Sequence, residues 1–136
     1  MWRGISGSCR GPNHLVIDSP EVSPICFLDD ITVKNVIVQN GALRGLVDFD
    51  CVCYGDPLYW IGLTATTVAC DVGTEELFYV DELCRCGELT AEQRGIAALY
   101  AAWIALDFLH RFAAQETDAW RARMLAAIDV WLAAAV

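Results

Sequence analysis

Val36-Ile37-Val38-Gln39-Asn40-Gly41-Ala42-Leu43-Arg44-Gly45-Leu46-Val47 decides the fold class of this 136-residue chain. Asn40-Gly41 stands between two aliphatic runs, and both turn residues accept positive φ, so the stretch predicts a β-hairpin. Upstream, Ile25-Cys26-Phe27-Leu28 is a short apolar run that stops at Asp29-Asp30. That is the pattern of a buried strand delivering two carboxylates to a loop. Residues 1–24 carry Gly4, Gly7, Gly11, Pro12, Pro20 and Pro24 with little periodicity beyond Leu15-Val16-Ile17. They are expected to form an irregular lead-in with room for one short strand.

Downstream of the hairpin the period changes from two to about 3.6. Gly55-Asp56-Pro57 marks a turn, and Leu58 to Val68 reads as a buried helix. From Asp71 to Glu92 the acids outnumber the single Arg85, with Leu77, Val80 and Leu83-Cys84 at helical spacing, which predicts a surface helix with a solvated face. Thr90-Ala91-Glu92-Gln93 has the form of a capping box and opens a long apolar helix through about Phe112. Thr117 is expected to cap a last helix with Trp120, Met124, Ile128 and Trp131 on one face. The order is strands and an Asn-Gly hairpin, then about four helices: an α+β fold with the helices segregated. Residues 25–136 are expected to form one domain behind the 1–24 lead-in.

Bulk composition narrows the function classes. The chain is 56% hydrophobic and 20% charged, far from the composition of disordered segments, and long enough to bury a core without staples. Its net charge of −9 and one lysine, Lys34, argue against nucleic acid, whose phosphates demand clustered cations. An acidic surface suits a cationic small molecule or Mg²⁺, although acidity often serves solubility alone. The longest apolar run, Ile96 to Leu106, is too short for a bilayer, and Met1 to Gly7 holds no secretory apolar stretch. A cytoplasmic chain with no membrane partner is expected, its seven cysteines reduced.

The chemistry-bearing residues cluster around the first strand and the hairpin. Asp30-Ile31-Thr32-Val33-Lys34-Asn35 separates an aspartate from an asparagine by five positions in a loop between strands, and Asp48 follows the hairpin's second strand. Phosphoryl transfer needs this set: a carboxylate to accept or orient the substrate hydroxyl proton, with an Asn and an Asp to hold the Mg²⁺ that bridges the phosphates. Asp-x-x-x-x-Asn alone is a weak signal, and it gains specificity from the hairpin and Asp48-Phe49-Asp50 behind it. The bland alternatives are an exposed acidic turn at Asp29-Asp30 and a strand-end cap at Asp48.

Leu28-Asp29-Asp30-Ile31-Thr32-Val33-Lys34-Asn35-Val36-Ile37-Val38, Gly45-Leu46-Val47-Asp48-Phe49-Asp50 and Gly55-Asp56-Pro57-Leu58-Tyr59 together resemble the His-Gly-Asp-x-x-x-x-Asn, Ile-Asp-Phe and Gly-Asp-Pro motifs of aminoglycoside and choline kinase-like phosphotransferases. The resemblance spans about residues 25–63, and the helical remainder suits that family's C-terminal lobe. It implies an ATP- and Mg²⁺-dependent transfer to a small-molecule hydroxyl, with Asp30 as catalytic base, Asn35 and Asp48 as Mg²⁺ ligands, and Asp56 as a structural acid. Leu28 replaces the motif histidine, Asp29 its glycine, and Trp60 the aspartate expected after Gly-Asp-Pro-x-Tyr.

Kinases of this kind grip ATP with a second lobe that supplies a strand lysine. Only 29 residues precede Asp30, and Lys34 lies within the catalytic loop itself. The expectation is a C-lobe without its nucleotide-binding half, slow or inactive alone. The competing reading is a non-catalytic fragment, a binding module or one half of a split enzyme, which self-associates or meets an N-lobe partner through its exposed strands.

Other features read as packing. Cys51-Val52-Cys53 and Cys84-Arg85-Cys86 lack the Cys-x-x-Cys spacing of structural zinc sites and are taken as free thiols. His14 and His110 stand alone, and Trp103, Trp120 and Trp131 fall at helical core spacing.

Overall fold

A computed structural model describes residues 23–28, 33–48 and 52–135. Among the described residues, four short strands precede the helices: β1 (Ile25–Leu28), β2 (Val36–Gln39), β3 (Ala42–Leu46) and β4 (Val52–Gly55). Four helices follow: α1 (Pro57–Asp71), α2 (Phe78–Cys86), α3 (Ala91–Phe112) and α4 (Asp118–Ala134). The fold is α+β, with short antiparallel strands and the helices gathered after them.

The strands form two separate antiparallel pairs, β2 with β3 and β1 with β4. In the first pair Gln39 faces Ala42 across Asn40 and Gly41, whose φ values of 54° and 72° give the two-residue turn its left-handed backbone. Val38 faces Leu43 and Ile37 faces Gly45, so Arg44 is the extra residue of a bulge. The second pair joins Leu28 to Val52 and Ile25 to Gly55, bringing the chain back beside β1 just before the helices begin.

The starts of α1, α3 and α4 follow from side-chain caps. Asp56 Oδ1 accepts from the Leu58 amide at 2.8 Å, and Pro57 fills the first helical position, where a missing N–H costs nothing. At α3 both halves of the capping box are formed: the Gln93 amide donates to Thr90 Oγ1 at 3.2 Å, and the Thr90 amide donates to Gln93 Oε1 at 2.9 Å. Thr117 Oγ1 likewise accepts from the Trp120 amide at the head of α4.

The acidic stretch expected to form one surface helix is divided. Gly73, at φ 128°, and Glu88, at φ 52°, cannot continue a right-handed helix, so a 3₁₀ turn at Thr74–Glu76 and α2 lie between those two breaks. Helix α1 in turn runs three residues beyond Val68 to Asp71.

Helices α1, α3 and α4 enclose an alanine-rich core built on Ala65, Ala69, Ala101, Ala105, Met124, Ala127 and Ile128, closed by Trp120 and Trp131. A second cluster, Leu58, Ile61, Cys84, Ala97, Tyr100 and Ile104, packs α1 against α2 and α3. Small residues let α1 and α3 approach closely. A Cβ built on Gly62 would lie 2.6 Å from Tyr100 Cβ and 2.9 Å from the Ala97 carbonyl, so the crossing demands glycine. Beside it the buried Thr66 hydroxyl lies 3.0 Å from both the Gly62 and the Ala101 carbonyl oxygens and so spans the two helices. Among the described residues no helix is long and apolar enough to cross a membrane.

Candidate functional site

Asn35 closes a 3₁₀ turn at Val33–Asn35 that runs straight into β2, while Asp48 follows β3. The hairpin therefore returns the chain to its own starting point. The Val47 amide donates to the Asn35 carbonyl at 2.9 Å, and Asn35 Nδ2 donates to the Asp48 carbonyl at 3.2 Å. Two residues thirteen positions apart are thus joined at the open end of the hairpin. With its amide nitrogen turned to that carbonyl, Oδ1 is the Asn35 side-chain atom with the chemistry of a cation ligand, on backbone adjoining the carboxylate-bearing Asp48.

Asp48 is exposed and holds φ at 55°. Aspartate is among the residues that tolerate this left-handed region, yet a side chain there still costs about 1 kcal/mol or more. Such outliers concentrate where a structure must aim a particular group. Asp30, expected as the base, lies outside the described residues, as do Asp29, Phe49 and Asp50.

Asp56 links the site-bearing strands to the helices. Its Oδ1 caps α1, and its Oδ2 accepts from the Tyr100 hydroxyl on α3 at 3.0 Å. Nothing in the sequence pairs it with Tyr100, which reads there as one more apolar residue of a long helix. The same is true of Lys34, whose Nζ lies 2.6 Å from Asp71 Oδ1 at the far end of α1.

Leu28 and Trp60, the replacements for the motif histidine and aspartate, both line one apolar groove. Together with Ile25, Cys26, Phe27 and Val52 they enclose about 360 Å³, and the Phe27 and Trp60 rings lie 6.4 Å apart. A polar cleft of about 350 Å³ opens at the other end of α1, between Cys70, Asp71, Glu116, Thr117, Trp120 and Arg123. There Trp120 Nε1 donates to Cys70 Sγ and Arg123 Nη2 to the Cys70 carbonyl. Burial pushes the Cys70 thiol above its usual pKa, against the opposing pull of the Trp120 hydrogen bond.

Residues 21–79 match the family model described as the phosphotransferase enzyme family. This stretch is similar to sequences of that family. The match takes in each motif on which the resemblance to aminoglycoside and choline kinase-like phosphotransferases rests, from Leu28 through Tyr59. No curated protein and no solved structure matches the chain. Within the matched segment, Asn35 and Asp48 are brought together at the hairpin's open end and Asp56 is built into the joint with the helices. Helices α3 and α4 lie beyond the matched residues.

Proposed function

We propose that this chain carries the catalytic-loop half of an ATP- and Mg²⁺-dependent phosphotransferase acting on the hydroxyl of a small molecule. The observation that carries the reading is the junction of Asn35 with Asp48 inside a segment similar to the phosphotransferase family. An amide oxygen and a carboxylate on adjoining backbone are the hard donors that Mg²⁺ prefers, so the residues present fit the ion. When bound, Mg²⁺ neutralises charge on the phosphate oxygens.

The protein's own residues divide the work. Asp30 accepts the proton of the acceptor hydroxyl as that oxygen attacks the terminal phosphorus of ATP, whose bond to the bridging oxygen breaks to release ADP. Asn35 and Asp48 would hold the metal, and the bulge at Arg44 and the Asn40-Gly41 turn fix the hairpin that spaces them. Asp56 acts at one remove by keeping α1 and α3 in place beneath the strands. The groove at Leu28 and Trp60 and the exposed hairpin support a further element, in the same polypeptide or another, that covers the strands and grips the nucleotide.

Phosphoryl transfer is catalysed almost wholly by positioning and charge stabilisation. Correct positioning is worth roughly 7–11 kcal/mol, so losing half of it slows the reaction by about three to four orders of magnitude. The residues described here therefore transfer phosphate slowly or not at all until the nucleotide is held. The test is incubation of the purified chain with labelled ATP, Mg²⁺ and a panel of aminoglycosides, amino alcohols and sugars, with Asp30→Ala and Asp48→Ala as controls. The expected result is little or no transfer by the chain alone. Multiple turnovers lost in both variants would place a complete nucleotide site within these residues and refute the half-site reading.

A further inference from the structure

Resting on the reading of Asn35 as a metal ligand, we propose that Asp71 is a positioning residue for that site: it clamps Lys34 and thereby fixes the turn that presents Asn35. Lys34 precedes Asn35 directly, and its ammonium lies 2.6 Å from Asp71 Oδ1. The two partners are unequal. Asp71 is 23% exposed against 61% for Lys34, so the carboxylate is the fixed member and the lysine the one that is held.

The fixity of Asp71 has a visible source. It ends α1, and its neighbour Cys70 is gripped from α4 at two atoms: Arg123 Nη2 reaches the carbonyl at 2.8 Å and Trp120 Nε1 the sulfur at 3.2 Å. A continuous set of contacts therefore runs from α4 through Cys70 and Asp71 to Lys34, and from Asn35 on to Asp48. The hydrogen bonds of Asn35 to Val47 and Asp48 stay within the hairpin region, whereas the ion pair reaches from the turn to the helical body.

Two effects of the pair make opposite predictions. If Asp71 only neutralised a lysine beside a cation site, removing Lys34 would tighten metal binding and removing Asp71 would weaken it, as Coulomb's law requires. If the pair positions the turn, either removal loosens Asn35 and weakens binding. The clamp reading commits to the second pattern. A half-exposed ion pair contributes up to about 1 kcal/mol, which sets the expected change at up to about fivefold.

The experiment uses the whole chain and Mn²⁺ as a spectroscopic stand-in for Mg²⁺, titrated by electron paramagnetic resonance. Asp71→Asn and Lys34→Met are each expected to weaken Mn²⁺ binding about two- to fivefold. In parallel, hydrogen exchange at the Val47 amide, bonded to the Asn35 carbonyl, is expected to quicken by a similar factor in both variants. It should return to the wild-type rate in the charge-swapped double variant Lys34→Asp/Asp71→Lys. Tighter Mn²⁺ binding by Lys34→Met, or an unchanged Val47 exchange rate in both single variants, overturns the clamp alone. A wild-type chain that takes up no Mn²⁺ overturns the metal-ligand reading and the clamp's purpose with it.

Discussion

Between Ile25 and Gly55 the described strand residues turn much of their apolar surface outward, with Ile37, Val38, Leu43, Val52 and Tyr54 between 47% and 73% exposed. Between Pro57 and Ala134 one face of each long helix is sealed from water, through Leu58, Ala69, Ala105, Met124 and Ala127, while Phe78, Leu106, Leu125 and Val130 face outward. Each pair of strands is only two strands wide, which in water is at best marginally stable by itself. The helices thus supply most of the burial that drives folding, and the strands carry the proposed site. The strand half is held by a few specific ties, at Phe27, Asp56 and Lys34, more than by a core of its own.

The widest gap between the halves should come from paired substitutions. Met124→Ala, in the fully buried centre of the helices, is expected to cost about 2–5 kcal/mol, while Val38→Ala on the exposed hairpin changes stability by less than about 0.5 kcal/mol. Urea denaturation measures both. Equal costs would mean that the hairpin is buried in solution. Glycines give a sharper version. Gly62→Ala pushes a methyl into the α1–α3 crossing and should cost about 3 kcal/mol, whereas Gly45→Ala in β3 meets no atom within 4 Å and should be near neutral.

The ties between the halves come next. Asp56→Ala removes the α1 cap and the acceptor of the Tyr100 hydroxyl, for an expected loss of about 2 kcal/mol. Tyr100→Phe removes only the second contact and should cost about 1 kcal/mol. If Tyr100→Phe proved as costly as Asp56→Ala, the cap would contribute nothing.

The smallest effect concerns Cys70. Because its folded thiol has a raised pKa, it stays protonated at pH values where an unfolded cysteine is already partly thiolate. Its small contribution to stability is therefore full below the unfolded pKa and fades as pH rises through the folded one. Alkylation of Cys70 near pH 9 should be slower in the native chain than in urea. The Trp120→Phe variant, which loses the hydrogen bond that lowers the pKa, should be slower still at equal burial.

Legibility in the sequence followed the range of the interactions. The Thr90 and Thr117 caps and the limits of the long helix were readable because each rests on residues within four positions of one another. Of the two breaks in the acidic stretch, Gly73 is a visible helix breaker, whereas Glu88 gives no compositional hint of its positive φ. Strand β4 follows from no local pattern, since its partner β1 lies 26 residues upstream in the register Phe27 to Cys53. For the site, motif spacing brought Asn35 and Asp48 to notice, but Tyr100 and Asp71 enter through contacts 44 and 37 residues long, which no local pattern encodes. A long-range polar tie leaves no period in the chain.

The central claim, that Asn35 and Asp48 form the metal-binding end of the strand half, is tested most directly by residue-resolved paramagnetic broadening of amide resonances on adding Mn²⁺. The account predicts broadening centred on the amides of Asn35, Val47 and Asp48, lost in Asp48→Ala while the helical resonances keep their positions. Broadening centred instead on the acidic residues of the 3₁₀ turn and α2, Glu75, Glu76, Asp81 and Glu82, and unchanged in Asp48→Ala, would contradict it.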